Sequence, residues 1–206
     1  MTIESVDLQT LFATPLLRAD IGFAITPEQI EYIKNLKMIK NQQNLISEDL
    51  YIFNRPELKG IADGVQEALD VYAQNVLGID QRLVVTQSWA LINQPNIGMH
   101  AHSHSNSIVS GSLYYCELPE PVSRVIFDKY TAYQQIELIA GDGKANIYNT
   151  PRNVITPKQN EVILFPSDIN HMVESNGSNE LRRAIAFNSF VRGKIGNFRD
   201  VSELTV

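Results

Sequence analysis

The sequence feature that most limits the possible folds is a change of pattern at Arg82. From there on, short segments rich in Val, Ile, Tyr and Phe alternate with turn residues such as Gly141-Asp142-Gly143, which is typical of an all-β region. Eight such segments predict a jelly roll. The predicted strands are 82–93, 108–118, 122–128, 134–140, 144–149, 161–166, 171–175 and 183–191.

Two amphipathic helices are predicted ahead of this β region. The first begins at Thr26-Pro27-Glu28-Gln29, because a hydroxyl N-cap, a proline at the first helical position and a glutamine three residues after the cap are typical of a helix start. The second follows Pro56, has apolar residues at helical spacing and ends at Gly78. We expect both helices to cover one outer face of the β-sandwich.

The chain is expected to form one domain, since its 206 residues contain no repeat, low-complexity tract or linker. Residues 1–80 would supply an N-terminal strand and supporting helices. Residues 82–192 would form the jelly-roll core, and residues 193–206 a tail.

Charge and cysteine content exclude several classes of protein. The net charge is −6 and Lys/Arg residues form no cluster, so nucleic-acid binding is not expected. No apolar run approaches the roughly 20 residues of a membrane span. The single cysteine, Cys116, rules out an internal disulfide framework and favours a reducing, cytoplasm-like compartment.

The histidines form the strongest functional pattern in the chain. Three of the four alternate as His100, His102 and His104, and the fourth, His171, lies far downstream. Residues i and i+2 of a strand share a face, so an alternating pair presents two imidazoles to one cation, and a jelly roll can bring His171 beside them. Three imidazoles suit Zn, Fe, Ni or Cu. A solvated histidine loop without a metal, and a ligand pair made of His100 and His102, are the alternatives.

Two adjacent arginines follow His171, at the start of an apolar segment. Arginine binds a carboxylate through two parallel hydrogen bonds, so a buried arginine near a metal indicates a carboxylate ligand. We expect Arg182 to be a solvated charge at the end of the strand. Arg183 shares its strand face with Ile185 and Phe187, and the pattern leaves open whether it is solvated or enters the barrel.

The segment from His102 to Tyr115 resembles the signature H-x-H-x-N-S-x-x-S-G-x-x-Y-Y of a 2-oxoglutarate/Fe(II)-dependent oxygenase family. This family occurs in bacteria and in phages of marine bacteria, and it is related to prolyl hydroxylases. The resemblance implies a double-stranded β-helix, the cupin-like form of the jelly roll. Further matches to the family are Leu11-Phe12-Ala13-Thr14-Pro15, Ser88-Trp89, Phe165-Pro166-Ser167 and Phe187-Asn188.

The resemblance also implies the site residues. The iron ligands fall on His102, His104 and His171, and the arginine that binds the distal carboxylate of 2-oxoglutarate falls on Arg183. Tyr115 matches a tyrosine that binds the same carboxylate in prolyl hydroxylases, although a slip of one residue exchanges it with Tyr114. The candidates for the wall of the substrate pocket are Trp89, His100, Asn106 and Asn188.

The chain departs from the wider superfamily at His104. The common motif is H-x-D, whose carboxylate offsets part of the iron charge, whereas three neutral imidazoles leave the full +2 charge. We expect this to strengthen the binding of anionic 2-oxoglutarate. Asp168 and Glu174, which flank His171, are the nearest substitutes for the missing carboxylate.

The predicted function is therefore a dioxygenase that uses Fe(II) and 2-oxoglutarate to hydroxylate a substrate, releasing succinate and CO2. A prolyl or other peptide residue is the first substrate expected, and a free amino acid or small metabolite the second. The alternatives are a cupin-like three-histidine enzyme that acts without 2-oxoglutarate and a non-catalytic metal-binding β-sandwich. The expected partners are 2-oxoglutarate and O2, with a homodimer as one option, in the cytoplasm of a bacterium or of a phage host.

Overall fold

The chain folds into two antiparallel β-sheets that pack face to face, with helices on one outer side. The computed structural model describes residues 3–129 and 139–206. Its helices are α1 (Pro27–Lys34) and α2 (Lys59–Tyr72). Its strands are β1 (Leu17–Asp20), β2 (Met38–Lys40), β3 (Leu45–Ser47), β4 (Arg82–Asn93), β5 (Met99–His102), β6 (Val109–Leu113), β7 (Val125–Asp128), β8 (Arg152–Ile155), β9 (Glu161–Pro166), β10 (Asn170–Val173), β11 (Arg182–Arg192), β12 (Lys194–Ile195) and β13 (Leu204–Thr205).

The order of the strands is that of a jelly roll. The larger sheet runs β1-β9-β6-β11-β4-β3-β2, and the smaller one runs β5-β10-β7-β8. Many neighbours in these sheets are distant in sequence, so the chain crosses repeatedly between the two layers. This confirms the predicted mainly β fold with flanking helices.

Both predicted helices are present and begin as expected. The Thr26 side chain accepts a hydrogen bond from the Gln29 amide, and the Gln29 side chain accepts one from the Thr26 amide, so the first helix has the predicted capping box. A 3₁₀ turn at Pro56–Leu58 leads into α2. After one π turn, Ala73–Leu77, the helical stretch ends at Gly78, whose φ of 62° is accessible to glycine at little cost.

The main hydrophobic core lies between the helices and the larger sheet. Ile61, Leu69 and Tyr72 of α2 are buried there against residues of that sheet such as Leu164 and Phe187. A second cluster fills part of the space between the sheets, where side chains of β7 and β9 meet. The helices therefore cover one outer face of the sandwich, as the sequence predicts.

Several predicted strands differ from those observed. Segment 144–149 was expected to be a strand, but it forms turns because Asn146 and Asn149 hydrogen-bond nearby backbone amides. The strand instead occupies Arg152–Ile155. Predicted segment 134–140 lies largely outside the described residues. An N-terminal strand was expected, and β1 occupies that place, but β2, β3 and the histidine-bearing β5 were not predicted.

The last residues, expected to form a tail, contain a small two-stranded sheet of β12 and β13. The Gly193 and Val206 backbones exchange hydrogen bonds across its end. Within residues 3–129 and 139–206, none of the helices has the length and apolar character needed to cross a membrane.

Candidate metal centre and its cavity

Three histidines converge between the two sheets, at one end of a cavity. His102 is the last residue of β5 and lies directly opposite His171 of β10 in the antiparallel ladder. His104 follows two residues after His102, and its backbone amide donates to the Ser167 carbonyl at 2.8 Å. One ring nitrogen from each histidine lies within 4.8 Å of the others. The trio proposed from the sequence is therefore brought together.

Backbone hydrogen bonds orient two of these rings. The His102 Nδ1 atom lies 2.8 Å from the His100 carbonyl oxygen, and His171 Nδ1 lies 3.1 Å from the Ile169 carbonyl oxygen. When Nδ1 donates to a carbonyl, Nε2 is left unprotonated and free to bind a metal. The Nε2 atoms of His104 and His171 are 3.4 Å apart. This is close to the separation of about 3 Å that two ligands at about 2.1 Å and a right angle would have.

Burial keeps these imidazoles neutral. It lowers the pKa of His171 to about 3 and the pKa of His104 to about 4, and it also lowers the pKa of His102. The other histidines of the trio lower the values of His104 and His171 further. Since only the neutral imidazole binds a metal, the centre is ready to bind at neutral pH without releasing protons.

Among the described residues, no carboxylate joins the trio. Glu174, one of the two predicted substitutes, forms an ion pair with Arg124 instead. The other, Asp168, is exposed and is not part of the cluster. His100 also lies outside the cluster and contributes its backbone carbonyl, so the structure does not support a ligand pair of His100 and His102.

A chain of hydroxyl groups lies behind His104. Ser167 Oγ donates to Ser107 Oγ at 2.7 Å and lies 2.8 Å from Ser110 Oγ. Ser110 Oγ donates to Asn188 Oδ1 at 2.9 Å, and the Asn188 side chain lies beside the His104 ring, whose pKa it raises. Two serines of the sequence signature therefore belong to the network that holds the residue beside the third imidazole.

The histidines open onto a cavity of about 310 Å³ between the sheets. Its walls are mainly apolar and include Trp89, Leu91, Phe127 and Phe165. The polar groups at its surface are amides and hydroxyls, and Arg182 is its only guanidinium or ammonium group among the described residues. Neither aspartate nor glutamate lines it in this part of the chain.

The structure corrects the prediction about the two arginines. Arg182, expected to be solvated, is 2% exposed and lines the cavity, whereas Arg183 does not reach it. Adjacent residues of a strand face opposite sides. On β11 the small Ala184 and Ala186 face the cavity with Arg182, and the bulky side chains between them pack on the helix side.

The two adjacent tyrosines, like the arginines, have the opposite placement to the one predicted. Tyr115, the predicted carboxylate ligand, is buried in the helix-side core, while Tyr114 lines the cavity. The Arg182 guanidinium lies 5.3 Å from the centre of the Tyr114 ring, and its Nη2 atom is 3.4 Å from the Tyr114 hydroxyl oxygen. The slip of one residue that the sequence left open for the tyrosines therefore occurs, and the arginines on β11 show the same displacement, which was not expected.

The four pocket-wall candidates have different positions. Trp89 lines the cavity, and Asn188 is buried beside His104 rather than exposed to the cavity. His100 is exposed, and Asn106 occupies an exposed turn with φ of 57°, a backbone conformation that asparagine tolerates. The placement of His100 and Asn106 corrects their assignment to the pocket wall.

Sequence reasoning also missed Asn44 and Asn93, which line the cavity near Arg182. Asn93 ends the longest described strand of the larger sheet, and Asn44 precedes a three-residue strand. The alternation of small and large residues along β11 is the one signal in the sequence that could have identified the cavity face.

Comparison with known proteins bears on this site. Residues 87–188, which include the whole trio, Tyr114 and Arg182, match the sequence profile of a family described as "Putative 2OG-Fe(II) oxygenase". This part of the chain belongs to that family. The chain is accordingly a 2OG-Fe(II) oxygenase, an oxidoreductase whose cofactor is Fe(II) and whose co-substrate is 2-oxoglutarate. The sequence has no match among curated proteins.

Solved structures of similar fold support the architecture of this oxygenase. A 2OG-Fe(II) oxygenase family oxidoreductase from Burkholderia pseudomallei is 11% identical with a TM-score of 0.57, covering 84% of this chain and 83% of that one. HygX from Streptomyces hygroscopicus, solved with nickel and 2-oxoglutarate, is 10% identical with a TM-score of 0.58, at 85% and 82% coverage. A Pseudomonas putida prolyl-4-hydroxylase is 10% identical with a TM-score of 0.56, at 87% and 94% coverage. At these identities the likeness concerns the fold.

The residues of this oxygenase fit both groups that its family requires. Three neutral imidazoles with converging nitrogens suit Fe(II), which binds nitrogen donors well. Arg182 is a buried cation in the same cavity, its Nε atom has no hydrogen-bond partner, and it belongs to no ion pair among the described residues. A buried arginine without an acidic partner is suited to an anionic ligand such as 2-oxoglutarate.

Proposed function

We propose that this oxygenase is a hydroxylase in which His102, His104 and His171 hold Fe(II), and Arg182 with Tyr114 holds the distal carboxylate of 2-oxoglutarate. The observation that carries the proposal is the presence, in one cavity, of the histidine trio and a buried arginine with no carboxylate partner. When bound, Fe(II) and 2-oxoglutarate supply the oxidising power to hydroxylate a C–H bond with O2, yielding succinate and CO2.

Arg182 and Tyr114 supply the donors for the carboxylate. Burial raises the pKa of Tyr114, so its hydroxyl remains protonated and can donate a hydrogen bond at neutral pH. Charged hydrogen bonds of this kind are strong when they are shielded from water, and both side chains are at most 2% exposed. Their fixed positions orient the co-substrate along the cavity toward the histidines.

The apolar walls keep water away from the reacting end. Trp89 and Phe165 lie beside the His104 ring, with ring centres 6.3 and 6.5 Å from its own. A dry and shaped site directs an oxidising reaction to the bound substrate and limits side reactions. These residues therefore both position the substrate and protect the protein.

We further propose an uncharged substrate group, namely a prolyl or other apolar residue within a peptide. The half-buried part of the cavity lining combines apolar side chains such as Leu50 and Met99 with the amides of Asn41 and Gln87, which match a peptide backbone. A free amino acid would need an acidic partner for its ammonium group, and none lines the cavity in the described part of the chain. The prolyl-4-hydroxylase of similar fold is consistent with this preference.

Anaerobic titration of the Fe(II)-loaded protein with 2-oxoglutarate tests the co-substrate site through the visible charge-transfer band of the chelate. Arg182→Leu should weaken 2-oxoglutarate binding by roughly ten- to a hundredfold at unchanged iron content, since one charged hydrogen-bonding group is lost. Arg183→Leu is the matched control and should bind as the wild type does. A wild-type protein that gives no band, or an Arg182→Leu variant with normal affinity, would overturn the assignment.

The substrate proposal is tested by mass spectrometry after aerobic turnover. Proline-containing peptides should gain one oxygen atom together with formation of succinate, while free proline should not. Hydroxylation of free proline or of another amino acid, with no reaction on the peptides, would contradict a peptide substrate.

A further inference from the structure

One corner of the cavity collects polar atoms that have no partner. Within residues 3–129 and 139–206, the buried side-chain atoms without a hydrogen bond are Arg182 Nε, Asn93 Nδ2 and Asn44 Oδ1. All three residues line the same cavity and are at most 3% exposed. An unpaired buried polar group destabilises the folded state, so three of them together indicate a place built for a ligand.

The ladder between β4 and β11 brings two of these groups together. Asn93 lies directly opposite Arg182 in the register, and both side chains face the cavity. Directly opposed residues have Cβ atoms about 4.5–5.5 Å apart. Asn93 and Arg182 are therefore neighbours on the cavity face, and each has a buried N–H group without a partner.

Asn93 is held in place from two sides. Asn44 Nδ2 donates to Asn93 Oδ1 at 3.4 Å, and Asn176 Nδ2 donates to the Asn93 backbone carbonyl at 3.0 Å. The side-chain oxygen of Asn93 thus accepts from Asn44, and the Nδ2 atom of Asn93 remains a donor without a partner. Asn44 lies before β3, outside the residues that match the family profile.

We propose that Asn93 is a further ligand of the co-substrate's distal carboxylate, beside Arg182 and Tyr114, and that Asn44 is its positioning residue. This inference rests on the proposed function. One carboxylate oxygen accepts from Arg182 Nε and the other from Asn93 Nδ2, which satisfies both unpaired donors. A water bound between Asn44 Oδ1 and the carboxylate satisfies the remaining acceptor.

This arrangement makes the corner selective for keto acids that carry a second carboxylate. 2-Oxobutyrate has the same keto acid group but no distal carboxylate, so it would leave both donors unpaired. The affinity ratio between 2-oxoglutarate and 2-oxobutyrate therefore reports on this corner separately from the metal centre.

The test compares Asn93→Asp with the wild type. The substitution conserves size and the acceptor for Asn44, but it replaces the free N–H group by a carboxylate oxygen that repels the ligand. Binding of both keto acids is measured anaerobically, by the visible band of the Fe(II) protein and by calorimetry on the Ni(II) protein. We expect at least tenfold weaker binding of 2-oxoglutarate and an unchanged affinity for 2-oxobutyrate.

Asn153→Asp is the matched control, because it makes the same change on exposed β8, outside the cavity. It should change 2-oxoglutarate affinity less than threefold. Asn44→Ala, which removes the hydrogen bond to the Asn93 side chain, should weaken the binding of 2-oxoglutarate by about threefold and leave the binding of 2-oxobutyrate unchanged. It provides the decisive comparison if Asn93→Asp does not fold.

The outcomes separate this inference from the function it rests on. A wild-type protein that binds neither keto acid contradicts the proposed function itself. A wild type that binds 2-oxoglutarate, with an Asn93→Asp variant of equal affinity, contradicts only the role of Asn93. Equal losses for the two keto acids would show that Asn93 supports the fold rather than the carboxylate, which also overturns the inference.

Discussion

At the scale of single residues, the centre depends on which ring nitrogen each imidazole turns toward the cluster. Backbone carbonyls orient the rings of His102 and His171, and burial, rather than these hydrogen bonds, keeps the rings neutral. Groups that hold the far side of a ligand ring commonly change metal affinity by 10- to 100-fold when they are removed. The proposed ligand role of the three histidines thus depends on the groups around them as well as on their own positions.

Asn188→Leu should weaken metal binding roughly 10- to 100-fold, because the polar side chain beside the His104 ring is lost. Calorimetric titration with Ni(II) measures the effect without turnover. Asn153→Leu, a change of the same type on exposed β8, should leave affinity unchanged. Equal affinity of the Asn188→Leu and wild-type proteins would contradict this positioning role.

The metal-free protein should lose stability as the pH falls from 7 to 5. Burial lowers the pKa of His104 to about 4 and of His171 to about 3, below the ordinary histidine value of 6.5. In that interval the unfolded state binds protons that the folded state does not, so the stability present above pH 6.5 is progressively lost. Urea unfolding across this range measures the slope.

The double variant His104→Gln/His171→Gln is the control for this pH effect. It lacks both groups and should show a smaller decrease in the urea midpoint between pH 7 and 5. If the wild-type and double-variant slopes agree, these histidines are not the groups that link protonation to unfolding.

At the scale of elements, the cavity exists because β6 and β11 place small and large side chains on opposite faces. Their helix-side face carries Leu113, Ile185 and Phe187, all fully buried in the main core. Their cavity face carries smaller residues, among them Ser112 and Ala184. The same two strands therefore supply both the tight packing under the helices and the space for ligands.

Gly111→Ala should destabilise the protein by about 1–3 kcal/mol, which urea unfolding measures. A Cβ atom at Gly111 would overlap the ring of Phe187 and lie 2.7 Å from Leu164 Cδ2. Gly141→Ala is the matched control, because its added Cβ has only an ordinary contact at 3.6 Å with Lys144. Equal stability of the two variants would show that the packing at β6 adapts without cost.

At the scale of the whole molecule, the two hydrophobic clusters are joined through β11. Phe187 belongs to the cluster under the helices, and Ala184 belongs to the one between the sheets. Loss of β11 would expose both clusters at once. The predicted organisation as one domain is consistent with this arrangement and remains a prediction.

We expect a single cooperative unfolding transition. Far-UV circular dichroism follows the helices, while the fluorescence of Trp89, the only tryptophan, follows the cavity between the sheets. Coincident transitions by both probes are the expected result. Separate transitions for the helices and the cavity would indicate two folding units.

The sequence by itself determined the helix start at Thr26 and the long strands, which depend on the local rules of capping and alternation. Alternation also singled out the histidines, but it left open whether His100 or His104 pairs with His102, and the trio His102, His104 and His171 came from the family resemblance. Only the tertiary structure decided that Arg182 and Tyr114, rather than Arg183 and Tyr115, face the cavity. A strand pattern shows that neighbouring residues face opposite sides of the sheet. Both faces of the larger sheet are covered, one by the helices and the other by the smaller sheet. The sequence pattern therefore does not tell which face lines the cavity.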